Sequence, residues 1–157
     1  MNKKSNNKKI MQVLFLIYSI CMLFLLFGRE PYHMYEGYWQ NLQWNINLIP
    51  FFTIRSQWHS FVRADYDIFS FAGINLIGNG IMFVPLGFFL PALHRRLRGY
   101  GRFLTSVIGI IAIIEVAQLV SLRGSLDVDD LILNIVGATI GYMVCHTVLR
   151  FSKKTIL

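Results

Sequence analysis

Between Glu115 and Asn134 the chain gathers Glu115, Gln118, Arg123, Asp127, Asp129, Asp130 and Asn134, where two otherwise apolar runs meet. Side chains of these types can hold a polar headgroup by hydrogen bonds, or move a proton as general acid and base. A carboxylate at membrane depth costs roughly 2.5 to 3.5 kcal/mol on insertion scales. Glu115, with Gln118 one turn on, is therefore a candidate functional acid by position alone. Arg123 is either its partner or an anchor whose charge snorkels to the headgroups. Asp127, Asp129 and Asp130 precede the last apolar run, where carboxylate oxygens can cap free N–H groups and oppose the helix dipole. Capping falls mainly to Asp127 or Asp129, and Asp130 joins the polar cluster. Asn75 and Asn79, in an earlier apolar run, share a helical face, as do Asp130 and Asn134. Taken singly the Asn residues also fit interhelical glue, and Gly137 with Gly141 fits close helix packing.

The elements that must position these residues are membrane helices. With 55% hydrophobic and 15% charged residues in 157 positions, the chain has too little polar surface to cover a soluble globule. Apolar runs at 10–27, 74–91, 103–122 and 131–149 predict an all-α membrane protein with four transmembrane helices. The expected layout is a basic cytoplasmic tail (1–9), a single polytopic membrane domain (10–149) and a cytoplasmic tail (150–157). Lys3, Lys4, Lys8 and Lys9 precede the first run as in a signal peptide, but Phe27-Gly28-Arg29 is unlike a small-residue cleavage site. Ile20 before Cys21 is equally unlike a lipoprotein site, so the first helix is read as uncleaved.

Counting Lys and Arg between the runs gives eleven on one side and four on the other. The positive-inside rule then puts both termini and the 92–102 loop in the cytoplasm, with 28–73 and 123–130 outside. That orientation brings Asn75, Asn79, Glu115, Gln118, Arg123, Asp127, Asp130 and Asn134 to the outer leaflet. The simplest packing makes of them one polar pocket open to the outside. The net charge of +7 is accounted for by topology, so no nucleic-acid partner is expected.

The external segment 28–73 is the least regular part. Leu42, Trp44, Ile46 and Leu48 alternate with Gln43, Asn45 and Asn47, which predicts an extended strand stopped by Pro50. From Phe51 to Arg63, Ile54, Trp58, Phe61 and Val62 fall at helical spacing. Three Trp residues in one external aromatic segment suit a belt at the membrane surface or a lid over the pocket. Cys21 and Cys145 lie in different helices, so no disulfide is expected. His33, His59, His94 and His146 are too scattered for a zinc site. No nucleotide-binding or hydrolase motif is present, and neither metal nor cofactor is expected.

Several strings together resemble the VanZ-like family of bacterial membrane proteins. They are Asn47-Leu48-Ile49-Pro50-Phe51, Asn75-Leu76-Ile77-Gly78-Asn79 running into Phe83-Val84-Pro85-Leu86-Gly87, Glu115-x-x-Gln118, and Arg123 leading to Asp127-Val128-Asp129-Asp130-x-x-x-Asn134-x-x-Gly137. The resemblance covers about 40–149. It implies a small polytopic plasma-membrane protein, and a link in some members to resistance against teicoplanin-type glycopeptides and lipoglycopeptides. It supplies no biochemical mechanism. Two functions stay open on the residues. One is a binding protein engaging membrane lipids, a lipid-linked cell-wall precursor or a lipoglycopeptide at the outer leaflet. The other is an intramembrane enzyme using Glu115 or Asp130 as general base, weakened by the missing nucleophile or metal constellation.

Overall fold

A computed structural model describes residues 3–28, 30–31 and 36–154 of the chain. The expectations for His33 and for the outermost tail positions, 1–2 and 155–157, lie outside the described residues. In chain order the elements are helix α1 (Lys3–Phe27), α2 (Tyr38–Trp44), strand β1 (Ile46–Asn47), α3 (Phe52–Arg63), α4 (Phe71–Met82) and α5 (Val84–Leu93). A 3-10 turn (Arg95–Arg98), α6 (Tyr100–Val120), strand β2 (Leu126–Asp127) and α7 (Val128–Lys154) follow. Among the described residues, four stretches are long and apolar enough to cross a membrane: Asn6–Phe27, Ala72–Leu93, Tyr100–Val120 and Val128–Phe151. The chain is an all-α, multi-pass membrane protein.

The second span differs from the single helix expected over 74–91. It breaks at Phe83 into α4 and α5, with Pro85 in the first turn of α5. Proline has no N–H to donate one turn back and its ring suits only the start of a helix. At the break the Tyr18 hydroxyl of α1 donates to the Met82 carbonyl at 2.8 Å. A backbone acceptor freed inside an apolar bundle thus finds a side-chain donor.

Close backbone approach locks α7 against this broken span. A Cβ on Gly137 would stand 1.8 Å from the Gly80 carbonyl oxygen, and one on Gly141 1.9 Å from that of Val84. Gly87 meets Ala138 in the same way from the α5 side, at 1.9 Å. Around this contact Phe83, Leu86, Leu90, Phe103, Val107, Ile111 and Ala138 form the core, with Met22 and Leu26 of α1. Much of the rest of α1 faces outward, as an apolar helix can in lipid.

Residues 42–48 are not the extended strand that their alternation predicts. The chain is helical from Tyr38 to Trp44, and only Ile46 and Asn47 are extended. Tertiary docking decides the matter: the Tyr38 hydroxyl donates to the Val120 carbonyl at 2.8 Å, and Asn41 is buried. Seven residues are too few for a period of 2 to be told from one of 3.6. The rings of Trp39, Trp44 and Trp58 are exposed.

β1 and β2 pair in parallel, with Ile46 opposite Leu126 and Asn47 opposite Asp127. This short ladder fixes the segment between the first two spans to the start of α7.

Candidate functional site

One face of α6 buries Phe103, Val107, Ile111, Glu115 and Leu119, four residues apart throughout. Glu115 thus occupies a core position in a stripe that is otherwise apolar, and it is 4% exposed. Beside it lies a cavity of about 300 Å³. α4 contributes Asn75 and Asn79, α6 Glu115 and Gln118, and α7 Asp130 and Asn134. Arg123 and Asp127 of the turn between α6 and α7 complete the wall. All eight residues proposed from the sequence for a pocket line this one cavity. Thr53 and Gln57 of α3 also line it, and sequence spacing gave no sign of Thr53.

The polar contacts run between helices, from the shared faces expected of each. The Asn79 side-chain amide crosses to Asp130 Oδ1 at 2.6 Å. Gln118 does not hold Glu115, for its amide donates to the Leu26 carbonyl at 3.1 Å. Arg123 donates through Nη1 to the carbonyl of Phe27. Both reach the last carbonyls of α1, which have no partners within their own helix and carry the negative end of its dipole. The turn that aims Arg123 is set by Leu122, at φ 54°, while the Arg123 N–H closes onto the Gln118 carbonyl at 3.0 Å. That pattern ends a helix with a left-handed residue, a place more often taken by glycine.

Of the three aspartates, Asp127 takes the capping role expected of it or Asp129, Asp130 lines the cavity, and Asp129 does different work. Asp127 caps α7, accepting the Asp129 N–H on Oδ1 at 2.8 Å, and it also faces the cavity. Its Oδ2 accepts the Thr53 hydroxyl at 2.6 Å, and the Asn47 amide donates to Thr53 Oγ1 at 2.8 Å. Asp129, fully buried, does not cap its own helix. It accepts the N–H groups of Phe51 at 2.6 Å and Ile54 at 2.9 Å, capping α3 from another element. Phe51 needs that hold, since its φ of 64° is unfavourable for a residue with a Cβ. Asn47 and Phe51 therefore support the cavity from behind, while Pro50 and Pro85 stand outside its lining.

Two buried oxygens are left over. Among the described residues, Glu115 Oε2 and Asn134 Oδ1 are the buried side-chain atoms with no hydrogen-bond partner. Each costs about 1 to 3 kcal/mol if left so, and both residues line the cavity. Two acceptors cannot satisfy one another unless the carboxyl is protonated, so as ionised groups both can take a further donor. Among the described residues no cluster of His, Cys, Asp and Glu could hold a metal ion. Cys21 and Cys145 are free thiols.

Comparison with known proteins finds no matching curated protein and no matching solved structure. The family model described as VanZ/LLP1 matches residues 15–150, nearly the whole of the spanning bundle, and the chain belongs to the VanZ/LLP1 family.

Proposed function

We propose that the protein binds the polar headgroup of an envelope lipid, a lipid-linked wall precursor or a lipid-tailed glycopeptide at the outer leaflet. In this reading it sits in the bacterial plasma membrane with both termini in the cytoplasm, and it lowers susceptibility to teicoplanin-type antibiotics. The observation that carries the reading is the pair of unpartnered buried acceptors, Glu115 Oε2 and Asn134 Oδ1, on the wall of a polar cavity among membrane-spanning helices. A fold does not keep such groups for stability alone, because apolar side chains of the same shape would cost less. The division of Lys and Arg, eleven to four, supports the orientation. The link to glycopeptides rests on the VanZ-like resemblance. α3 serves as the lid, since Thr53 and Gln57 line the cavity and Asn47 and Asp129 hold its first turn.

The test is drug susceptibility on overexpression. Protection should be greater against lipid-tailed glycopeptides than against vancomycin-like ones lacking the tail, because only tailed drugs insert beside the cavity. Asn134→Leu should abolish the difference at an unchanged amount of membrane protein. Equal protection against both drug types would defeat the outer-leaflet reading, and protection against neither would defeat the link to resistance. The unpartnered Glu115 oxygen also suits a general base. A covalent change in envelope lipids between cells with and without the protein would favour that second reading.

A further inference from the structure

The polar cavity does not end at its own walls. Leu25, Asn75, Asn79 and Met82 line it and also line a second hollow of about 480 Å³, a mainly apolar groove between α1 and α4. Tyr18, Met22, Gly78 and Ile81 continue that groove along the two helices. It faces the bilayer, because Ile74 and Ile81 on its edge are exposed and both helices are spans. A buried polar chamber joined sideways to an apolar, lipid-facing groove has the form of a lipid: headgroup in the first, acyl chain in the second.

The chamber also selects among headgroups. Among the described residues, three carboxylates, Glu115, Asp127 and Asp130, line it against one cation, Arg123. Its two unpartnered buried atoms are both oxygens, on residues each 4% exposed. What the two leftover atoms call for is a donor, since both are acceptors, and the carboxylates around them favour one that carries positive charge. A primary ammonium brings three donors and one charge together, whereas a glycerol or sugar hydroxyl brings donors alone. Arg123, which also holds the Phe27 carbonyl, is the cation on the lining that the phosphate of such a headgroup would meet.

We propose that an amine-headed phospholipid passes from the outer leaflet between α1 and α4, laying an acyl chain in the groove and its ammonium against Glu115 and Asn134. This rests on the lipid-binding reading above and narrows it to one headgroup and one route. Gly78 gives a means of closing the route. A Cβ there meets only Ile74 Cγ2, at 3.9 Å, so a larger side chain is accepted by the backbone and fills the groove.

The experiment is native mass spectrometry of the purified full chain in detergent, with dioleoyl phosphatidylethanolamine and its N-acetyl derivative as probes. The free amine should be retained about tenfold better than the acetylated lipid, the size of one charge-assisted hydrogen bond. Gly78→Leu should lower retention of the free amine by a similar factor. Gly109→Leu, on the exposed face of α6 with open space around it, should leave retention unchanged. Equal retention of both lipids by the wild-type chain overturns the amine selection and leaves lipid binding standing; this arm needs no variant to fold. Undiminished retention by a folded Gly78→Leu overturns the groove. Retention of neither lipid overturns both this inference and the reading on which it rests.

Discussion

The Asn79 amide donates to Asp130 Oδ1 at 2.6 Å and so joins α4 to α7 beside the Glu115 carboxyl. The bond is short and has a carboxylate as acceptor, which places it among the stronger hydrogen bonds. Within membranes such pairs have a measured coupling averaging about 0.6 kcal/mol and reaching about 1.7 kcal/mol. A double-mutant cycle with Asn79→Ala and Asp130→Ala, read by reversible unfolding in mixed micelles, should give coupling near the upper part of that range. Coupling indistinguishable from zero would remove the pair as a link between the two helices.

Asp129 holds α3 from outside that helix. Asp129→Ala frees two backbone N–H groups and releases the left-handed Phe51, so about 2 kcal/mol of stability should be lost. The loss should be local. Hydrogen exchange should rise across 52–63 while α6 stays protected, and exchange unchanged across α3 would contradict the cap.

Gly137 and Gly141 are fixed by contact rather than by conformation. Gly137→Ala places a methyl carbon 1.8 Å from the Gly80 carbonyl oxygen, far inside van der Waals contact, and Gly141→Ala does the same at 1.9 Å from that of Val84. Each should cost roughly 1 to 3 kcal/mol or more, as overpacking does. Gly109→Ala, with nothing within 4 Å, should be neutral or gain up to about 1 kcal/mol from helix propensity. Thermal melting of the three variants in one detergent checks the order.

These contacts mark how far the sequence could be read. The cavity residues inside the spans were legible because each is a polar residue in an apolar run, where its cost makes it conspicuous: Glu115 in the stripe of α6, Asn79 in α4, Asn134 in α7; Thr53 of α3 was not. The small residues of α7 were legible from their spacing as a packing face. Partners were not legible, because they come from other elements. No spacing rule tells that Asn79 reaches Asp130, that Gln118 turns back to Leu26, or that Asp129 caps a helix 75 residues earlier in the chain. Residues 42–44 of the stretch 42–48 were misread because a short alternation was judged without the Tyr38 to Val120 contact that holds α2 in place. The break at Phe83 was signalled only by Pro85, which a continuous hydrophobic run conceals.

Glu115 separates a binding role from a structural one. Glu115→Gln keeps shape and volume but removes the charge. Cells expressing it should hold as much membrane protein as wild type and lose the preferential protection against lipid-tailed glycopeptides. Normal protein level with full protection would reassign Glu115 to packing.

The claim that the polar cavity opens to the outer face is tested most directly by cysteine accessibility. With Cys21 and Cys145 replaced by Ala, one cysteine is placed at Ser125, on the cavity wall, or at Gly99, in the loop before α6. Intact cells are then treated with a membrane-impermeant thiol reagent. The account predicts labelling at position 125 without permeabilisation, and at position 99 only after it. Labelling at 99 alone in intact cells would place the cavity on the cytoplasmic side and contradict the outward-facing site.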